Sequence, residues 1–557
     1  MPMTLPHCAE PRHARAFAWL GALLALLAAL CALPARAAGV GALIDAAGLA
    51  RELANPGLLL LDASPAPLYA KGHIRGAVNV DLFGFGIAPA TPAEMERRIQ
   101  SWGVSPGRRI VVYDQGGSFF ATRLYYDLLH HGYPAGAVSV LDGGLSKWRE
   151  LGLATTTEPT PRPAPGSFRV ERTVEELRVR LPEFLVASGE PERNALVEAL
   201  EPASYYGEAT FFDRGGHVPH ALLMPSAEFF NPDKTFKSPT QIRAMARHLG
   251  VTPDRQVYTY CGGGIAASVP FFALKVLAGY PKVKLYQESQ LEWMQDDRGL
   301  PLWTYAAPYL MRDTAWLRGW GGKTARMYGI SQVSIVDVRA PVEYAQAHIP
   351  FALNLPAQDL GRLLVDPARL AARLGSAGVD PAHEAIVVSE GGITPDAALA
   401  WLALETAGQR RVSLYLPTLD QWAAEGQPVT SEPTLVAAAP GNPLAIRPSD
   451  YAAAPRPRAL LADPARATGA YPKVYLASGR DAPARRPDGT VVHLPYTALL
   501  QADGRPKPAK ELWTLLEKAG VPRYAEIVCY ADATGDAAAA CFVLRLMGFA
   551  DAKVWAG

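Results

Sequence analysis

The sequence predicts an α/β protein of four small domains, each a parallel sheet flanked by helices. Short apolar runs such as Leu58–Leu61 and Ile110–Tyr113 alternate with helical patterns, which indicates buried parallel strands. The pattern recurs roughly every 130 residues, a longer period than solenoid repeats show, so each copy should be a whole domain. The 557 residues are also too many for one domain, since a domain usually takes roughly 100–200.

The composition is that of a globular protein without a dominant charge. The chain is 49% hydrophobic and 19% charged, with a formal net charge of +1. A balanced charge argues against a nucleic-acid partner and against a polybasic membrane-binding surface. The 49 prolines and 49 glycines favour many turns and stiff linkers.

The N-terminus is typical of an export signal. Basic residues precede an apolar run at 16–33, and Ala35-Arg36-Ala37 fits a cleavage site, so residues 1–37 are predicted to be a signal peptide. The mature chain is then expected to be periplasmic or secreted, with no membrane contact after cleavage. The apolar run is also long enough to span a bilayer as an uncleaved anchor, which stays an alternative.

The four domains are predicted at residues 41–155, 168–305, 322–430 and 446–557, here called copies 1 to 4. Two joins have linker composition: Thr155–Ser167 is rich in Thr and Pro, and Thr430–Pro448 is rich in Ala, Pro and Gly. The join Tyr305–Gly329 contains Trp316 and Trp320, so we expect it to pack on a domain rather than to run free.

Each copy repeats the same order of elements: a strand with an acidic end, a histidine segment, a second strand with a turn and helix, and a third strand followed by a tryptophan. In copy 1 these are Leu58–Asp62, His73–Ala77, Ile110–Tyr113, Val138–Leu141 and Trp148. In copy 2 they are Ala195–Glu198, His217–Ala221, Gln256–Tyr260, Val283–Tyr286 and Trp293. In copy 3 they are Ile335–Arg339, His348–Pro350, Ile386–Gly392, Val412–Tyr415 and Trp422. Copy 4 is more divergent, with Leu460–Asp463, Val492–Pro495, Ile527–Ala531 and Ala552–Trp555.

Cys261 is the most informative residue. It ends the predicted strand Gln256–Tyr260 and opens a glycine-rich turn, and a small-residue helical pattern begins near Ser268. The turn consists of Gly262, Gly263, Gly264, Ile265 and Ala266. Such a loop directs backbone N–H groups and a helix N-terminus at the sulfur, which favours a thiolate and any anionic sulfur species on it. The alternative is a buried structural cysteine beside a glycine turn.

These motifs resemble the rhodanese family of sulfurtransferases. The strand–Cys–glycine loop, the His-Ile/Val-x-x-Ala segment and the Asp-Gly-Gly-x-x-x-Trp ending of copy 1 carry the resemblance, which covers nearly all of the chain beyond the signal. It implies four rhodanese-like domains. Copies 1 and 2 would match the two-domain thiosulfate and 3-mercaptopyruvate sulfurtransferases, in which the second copy carries the cysteine. Copies 3 and 4 would form a second such pair.

The resemblance implies covalent catalysis by Cys261 without a cofactor. The thiolate would take sulfur from a small-molecule donor and pass it from a persulfide to a thiol or to cyanide. Asp114, Ser389 and Ala531 stand at the corresponding positions of the other copies. Because a persulfide requires a thiol, we expect copies 1, 3 and 4 to be inactive.

The donor is left open between thiosulfate and 3-mercaptopyruvate. Thiosulfate enzymes of the family carry cations just after the cysteine, whereas Gly262 and Gly263 stand here, so the loop is closer to the mercaptopyruvate type. In that type an Asp and a His of the first copy assist at the domain interface, and Asp62 and His73 match them. Asp62 as a strand-end turn residue and His73 as a structural histidine are the alternatives.

Three positions depart from the mercaptopyruvate pattern. Gly263 replaces a serine, Leu200 replaces the arginine that holds the substrate carboxylate, and Glu198 is longer than the usual Asp. Arg214 is a candidate replacement for the missing anion clamp. The alternative for Arg214 is a solvated loop arginine.

Other functions were weighed against sulfur transfer. A cysteine-loop phosphatase needs C-x5-R, and position 267 is Ala, which excludes it. A non-catalytic exported scaffold or sulfur carrier that binds a protein partner stays open, because three of the four copies lack the thiol. The eleven histidines are scattered, so no metal site is predicted. Cys529 and Cys541 could pair, but two core thiols are favoured.

Overall fold

The computed structural model describes residues 41–556, apart from 86–89, 211, 438–441, 443, 455–459, 464–468, 482 and 485–486. The predicted signal peptide and its cleavage site lie outside the described residues. No helix in the described part of the chain has the length and apolar content that crossing a membrane requires.

The strands form four parallel sheets, one in each copy, as the sequence predicts. The strands of copy 1 are β1 (Leu43–Ile44), β2 (Leu58–Asp62), β3 (Val78–Asn79), β4 (Arg109–Tyr113) and β5 (Val138–Leu141). Those of copy 2 are β6 (Arg178–Val179), β7 (Asn194–Glu198), β8 (Leu222–Leu223), β9 (Gln256–Tyr260) and β10 (Val283–Tyr286). Those of copy 3 are β11 (Met311–Arg312), β12 (Val333–Asp337), β13 (Ala352–Asn354), β14 (Glu384–Val388) and β15 (Arg411–Tyr415). Those of copy 4 are β16 (Lys473–Ala477), β17 (Thr490–His493), β18 (Glu526–Tyr530) and β19 (Ala552–Val554).

Helices connect the strands, and in the described part of copy 4 both helices pack on one face of the sheet, the face of Val474, Leu476, Ile527 and Cys529. Copy 1 has α1 (Ala46–Glu52), α2 (Ala66–Ala70), α3 (Pro92–Ser101), α4 (Phe120–His130) and α5 (Gly144–Glu150). Copy 2 has α6 (Leu181–Ser188), α7 (Pro202–Tyr205), α8 (Pro239–His248), α9 (Ser268–Phe271), which continues as a π-helix over Phe272–Leu277, and α10 (Ser289–Gln295). Copy 3 has α11 (Thr314–Gly321), α12 (Lys323–Met327), α13 (Pro341–Gln346), α14 (Ala357–Arg362), α15 (Pro367–Ser376), α16 (Pro395–Ala407) and α17 (Leu419–Ala424). Copy 4 has α18 (Ala509–Lys518) and α19 (Thr534–Leu546).

Three of the sheets share one strand order. It runs β1-β5-β4-β2-β3 in copy 1, β6-β10-β9-β7-β8 in copy 2 and β11-β15-β14-β12-β13 in copy 3. Strand β9 therefore lies in the middle of its sheet, between β7 and β10. Its residues 257–260 are all buried, which explains why the sequence shows a continuous apolar and aromatic run there.

The fourth sheet keeps this order, β17-β16-β18-β19, with an isolated parallel bridge between Leu461 and Val554 in place of the outermost strand. Two details of the sequence prediction for copy 4 are wrong. The central strand is Lys473–Ala477 and not Leu460–Asp463, because the later apolar run is the one that pairs with β18. His493 lies on the edge strand β17 and is exposed, so it does not correspond to the buried histidines of the other copies.

The four copies associate as two pairs, each with a continuous core. Copies 1 and 2 share one cluster, in which α4 packs against the α9 segment and the Tyr125 and Phe272 rings meet at 4.9 Å. Copies 3 and 4 share another, in which α16 packs along α19 and the Trp401 and Phe542 rings meet at 5.3 Å. The helix that follows the glycine-loop position therefore faces the partner copy in both pairs.

Copies 2 and 4 join the two pairs. Arg523 of copy 4 binds the Glu228 carboxylate and the Leu223 carbonyl of copy 2. Tyr206 donates to the Met547 carbonyl at 2.8 Å and stacks on Trp513. These contacts make the four copies one assembly rather than two pairs on a free tether.

The joins between copies pack on the domains beside them. Gly166 donates to the Gln100 carbonyl at 2.7 Å, and the Thr434 N–H donates to the Tyr344 hydroxyl at 3.3 Å, so both linkers run back along the preceding copy. The third sheet takes its outer strand from Met311–Arg312, which precedes the boundary predicted at residue 322. The tryptophan-containing join thus supplies part of copy 3.

Candidate active site around Cys261

Cys261 follows the last residue of β9, at the carboxyl edge of the second sheet, and α9 begins at Ser268 as expected. The backbone N–H of Gly264 points at the sulfur, with 3.1 Å between N and Sγ. The amides of Ala267 and Gly263 also lower the pKa of the thiol. Of the residues that the sequence predicted around the sulfur, Gly263 and Gly264 direct their amides at it. A substrate-binding role for Gly262, Ile265 and Ala266 stays a prediction.

Gly264 is the position where this loop needs glycine. Its φ is +79°, and a Cβ built there would lie 2.0 Å from the Gln287 carbonyl oxygen. No side chain fits without moving one of the two segments. This close approach holds the loop in direct contact with the connection between β10 and α10.

Two further backbone hydrogen bonds join the cysteine loop to the connection between β10 and α10. The N–H of Gln290 donates to the Cys261 carbonyl and the N–H of Leu291 to the Gly262 carbonyl, both at 3.0 Å. Copy 1 has the same two bonds, from Leu145 to Asp114 and from Ser146 to Gln115. This pair of backbone hydrogen bonds is thus a feature of the repeat and does not depend on the cysteine.

Ser289 is a site residue that the sequence analysis missed. Its hydroxyl accepts a hydrogen bond from the Cys261 N–H at 3.1 Å and donates to the Tyr286 carbonyl at 2.7 Å. Its φ is +53°, close to the +56° of Gly144, which holds the same position four residues before the copy's tryptophan. Alignment of Asp142-Gly143-Gly144 with Gln287-Glu288-Ser289 could have identified it, because a serine where a glycine conformation is required has a cost that a function can offset.

The sulfur is buried, and this reverses one expectation. Cys261 is 2% exposed and contributes to the core shared by copies 1 and 2. Burial raises the pKa of its thiol above the ordinary value, and this effect outweighs the loop amides, which lower it. Backbone amides surround the sulfur as predicted, but they do not by themselves make the resting thiol unusually acidic.

Glu198 is a second buried acid beside the cysteine. It ends β7 fully buried, and this burial raises its pKa to about 8. The Gln290 side chain donates to Glu198 Oε2 at 3.1 Å and to the Gly216 carbonyl at 2.9 Å. When ionised, Glu198 raises the pKa of Cys261 further, so its neutral form suits the thiolate.

Copy 1 shows the same loop holding the acidic side chain of Asp114. One oxygen of Asp114 accepts from the Gly116 N–H at 2.7 Å and the other from the Ala121 N–H at 2.9 Å. Burial raises the pKa of Asp114, as it does that of Cys261, while the loop amides act to lower it. The loop is closed on its outer side by Lys234 of copy 2, whose side chain lies against Gly116 and Gly117.

Asp62 and His73 lie within copy 1, and their contacts are there. Asp62 is fully buried and accepts from the Ser64 N–H at 2.9 Å. His73 stacks on Tyr69 at 3.7 Å and its Nδ1 bonds the Tyr69 carbonyl at 3.1 Å. Their role in substrate binding stays a prediction.

The stacked histidine belongs to the repeat. His217 stacks on Tyr205 at 3.5 Å in copy 2, and His348 stacks on Tyr344 at 3.7 Å in copy 3. In both cases Nδ1 bonds the carbonyl of that tyrosine. This recurrence favours a structural role for the histidine at this position.

Three further residues from the sequence analysis are Arg214, Cys529 and Cys541. Arg214 is exposed, on the loop that leads to Gly216, and its role as an anion clamp stays a prediction. Cys529 on β18 and Cys541 on α19 are free thiols, fully buried, and the pKa of Cys529 is raised by burial. Among the described residues no group of three or more His, Cys, Asp or Glu side chains could hold a metal ion.

Comparison with known protein families matches three segments of the chain to the rhodanese-like domain: residues 45–151, 185–296 and 323–425. A sulfur carrier protein of Thermus thermophilus, TtuD, is 32% identical over 41% of this chain and 84% of its own length. A probable 3-mercaptopyruvate sulfurtransferase of Pseudomonas aeruginosa is 32% identical over 46% of this chain and 96% of its own length. A thiosulfate sulfurtransferase of the same organism is 31% identical over 45% and 93%.

Two solved structures are similar over part of the chain. The 3-mercaptopyruvate sulfurtransferase SseA of Escherichia coli is 28% identical, with a TM-score of 0.41 over 44% of this chain and 98% of that protein. The anaerobic ergothioneine biosynthesis enzyme of Chlorobium limicola is 24% identical, with a TM-score of 0.42 over 47% and 70%. The similarity to sulfurtransferases in sequence supports a sulfurtransferase function for this chain.

Proposed function

Because the chain belongs to the rhodanese-like domain family, we propose that it transfers a sulfane sulfur from thiosulfate or 3-mercaptopyruvate to cyanide or a thiol through a Cys261 persulfide. The observation that carries the proposal is the Gly264 N–H aimed at Sγ, in a loop whose copy 1 counterpart holds the acidic side chain of Asp114 by two backbone amides. Copies 1, 3 and 4 present Asp114, Ser389 and Ala531 at this position and are proposed to be inactive.

In the first step the Cys261 thiolate attacks the sulfur that is transferred, which is the outer sulfur of thiosulfate or the thiol sulfur of 3-mercaptopyruvate. A new S–S bond forms at Sγ. With thiosulfate the donor's own S–S bond breaks and sulfite leaves with the electron pair. With 3-mercaptopyruvate a C–S bond breaks, and the carbon takes up a proton to give pyruvate.

In the second step the acceptor attacks the outer sulfur of the persulfide. Cyanide becomes thiocyanate, or a thiol becomes a persulfide, and the Cys261 thiolate leaves with the electron pair. The amides of Gly263, Gly264 and Ala267 stabilise the negative sulfur in both steps, because they are fixed before the reaction and need no reorientation.

Thiocyanate formation tests the proposal. The purified chain is incubated with each donor and cyanide, and thiocyanate is measured over time. We expect repeated turnover with at least one of the donors and none in Cys261→Ser. Cys529→Ser is the matched control, because it removes a free thiol that lies away from the loop, and it should keep the activity.

A sulfur carrier is the second candidate, favoured by the 32% identity to the carrier protein of Thermus thermophilus. The burial of Cys261 also fits a site that releases its sulfur only to a docked partner. Stoichiometric sulfur loading on Cys261 without cyanide turnover would select the carrier. If neither sulfur loading on Cys261 nor thiocyanate is detected, the result favours the non-catalytic scaffold.

We also propose that the chain is exported and cleaved after Ala37, on the basis of the apolar run and the Ala35-Arg36-Ala37 site. N-terminal sequencing of the protein recovered from its native host tests this. A mature chain that begins at Ala38 is expected. Recovery of the uncleaved chain in the membrane fraction would favour the anchor instead.

A further inference from the structure

A cavity of about 140 Å³ lies between copies 1 and 2, apart from the cysteine loop. We call it the interface cavity. Its volume is about ten times the ~10–15 Å³ that one water molecule needs, so a small polyatomic ion fits. The charged side chains that line it are four arginines and two carboxylates: Arg98, Arg123, Arg178, Arg180, Asp127 and Glu175.

Arg123 is a buried cation with spare donor capacity. Its side chain is 9% exposed, and its Nε bonds both carboxylate oxygens of Asp127, at 3.0 and 3.1 Å. Its Nη1 is buried and has no hydrogen-bond partner among the described residues. Buried guanidinium nitrogens are usually satisfied, so this atom calls for an acceptor.

Arg178 repeats the feature from copy 2. Its side chain is 10% exposed and one terminal nitrogen binds Glu288, while its buried Nε has no partner within the described chain. Two arginines that line one cavity, one from each copy, thus carry buried N–H groups without a partner among the described residues, and Oε2 of Glu288 beside Arg178 is likewise buried without one. Planar guanidinium groups with several N–H donors are well suited to sulfate-like and phosphate-like oxygens.

One of the histidines that line the cavity has a lowered pKa. His130 lines it with Nδ1 bonded to the Val174 carbonyl at 3.2 Å. Its pKa is lowered to about 4, mainly by burial and then by His131, with Arg178 lowering it as well. A neutral imidazole leaves the arginines, together with the carboxylates of Asp127 and Glu175, as the charged groups that face an incoming ion.

We propose that the interface cavity is a binding site for a small doubly charged oxoanion of the sulfate, thiosulfate or phosphate class, held by Arg123 of copy 1 and Arg178 of copy 2. Bound between the copies, the anion would fix their relative position. The cavity also reaches the sulfur site through Gln287, which lines it and whose carbonyl lies against Gly264. The proposal does not depend on sulfur transfer at Cys261.

Calorimetric titration of sodium sulfate into the Cys261→Ser chain tests the proposal, at constant ionic strength against sodium chloride. The Cys261→Ser background removes the sulfur chemistry, so a failure of the proposed function and a failure of this site are distinguishable. One sulfate per chain is expected. Parallel titrations with thiosulfate and phosphate rank the sulfur and phosphorus oxoanions.

The double variant Arg178→Gln, Glu288→Gln removes the buried pair together, so that no single charge is left uncompensated. It should weaken sulfate binding by about tenfold or more, since charge-assisted hydrogen bonds are the strong ones. The matched control is Arg312→Gln, Glu384→Gln, which removes the pair between Arg312 on the equivalent outer strand of copy 3 and Glu384 on β14, and it should leave binding unchanged.

Arg180→Gln gives a milder variant, because the Arg180 side chain is 61% exposed and its loss does not threaten folding. A several-fold loss of affinity is expected there. The proposal is overturned if sulfate fails to bind the Cys261→Ser chain above the chloride background. It is equally overturned if both cavity variants bind sulfate as tightly as their parent.

Discussion

At the scale of single residues, two opposing effects act on Cys261. Three backbone amides favour its anion, while burial disfavours it and prevails, so the pKa of the resting thiol is raised. The cradle is then most useful after the donor has bound, when charge develops on sulfur inside a water-poor loop.

The raised pKa predicts a pH dependence for the first step. A thiol whose pKa lies above its ordinary value is mostly protonated at neutral pH, so the rate of sulfur loading should rise from pH 7 to 8. The rise should be less than about tenfold, because ionisation of Glu198 over the same range raises the pKa of Cys261 further. Stopped-flow measurement of persulfide formation checks this. A rate that is flat over this range would show that the thiolate is already formed.

Glu198→Gln is expected to change how stability depends on pH. The pKa of this acid is raised to about 8 in the folded state, so the folded protein holds the proton more tightly than the unfolded chain. The contribution of this proton to the free energy of unfolding should therefore be complete below the pKa of Glu198 in the unfolded chain. It should fall as pH rises toward 8, at about 1.4 kcal/mol per pH unit and by a total of a few kcal/mol. Glutamine mimics the protonated acid and should flatten that decline.

Urea unfolding of both proteins at pH 5, 7 and 9 measures the difference. The free energy of unfolding of Glu198→Gln, relative to that of the wild type, should increase steadily between pH 5 and 8. Parallel stability curves across the series would contradict a raised pKa for Glu198.

At the scale of elements, the cysteine loop was predictable because its signals are local. A buried strand, a glycine turn and a small-residue helix follow one another within residues 256–277, and the structure places each where the sequence indicates. Ser289 and Gln290 were missed because they come from the next crossover and meet Cys261 only once β10 has paired with β9. Nothing local to their sequence predicts that meeting.

Gly264→Ala tests the loop as an element, with Gly279→Ala as its control. Both glycines have a left-handed φ, +79° and +76°, so both substitutions cost about 1–2 kcal/mol of backbone strain. Only the Gly264 substitution places a Cβ 2.0 Å from the Gln287 carbonyl, whereas nothing lies within 4 Å at Gly279.

We therefore expect Gly264→Ala to lose clearly more stability than its control in urea unfolding, and to lose sulfur loading as well. Gly279→Ala should keep the loading. Equal effects of the two substitutions would mean that the contact between Gly264 and Gln287 is not tight in solution.

At the scale of the whole molecule, the period of the repeat predicted four sheets, but it did not identify every strand of copy 4. Leu460–Leu461 and Val474–Leu476 are both short apolar runs, and periodicity alone does not say which one reaches the centre of the sheet. The pairing of copies 1 with 2 and of 3 with 4 followed from the family resemblance. The interface cavity depends on side chains from both members of a pair, so no single repeat reveals it.

Arg523→Ala tests whether the two pairs unfold as one assembly. The Arg523 side chain is 11% exposed and binds Glu228 and the Leu223 carbonyl across the interface between copies 2 and 4. Its removal takes the arginine away from the Glu228 carboxylate, which keeps the Tyr524 hydroxyl as a donor. The loss should cost about 1–3 kcal/mol and separate the two unfolding transitions.

Differential scanning calorimetry resolves those transitions. Arg505→Ala is the control, because that side chain is 48% exposed and lies on the same copy, and it should leave the unfolding profile unchanged. If Arg523→Ala unfolds like the control, the contact between copies 2 and 4 does not couple the pairs.

The most direct test of the account is to find where the transferred sulfur resides. The chain is incubated with thiosulfate or 3-mercaptopyruvate, digested without reductant and analysed by peptide mass spectrometry. We predict one additional sulfur on the peptide that contains Cys261, and none on the peptides of the buried thiols Cys529 and Cys541. Sulfur on either of those thiols, or an unmodified Cys261 with both donors, would contradict the assignment of the Cys261 loop as the site of transfer.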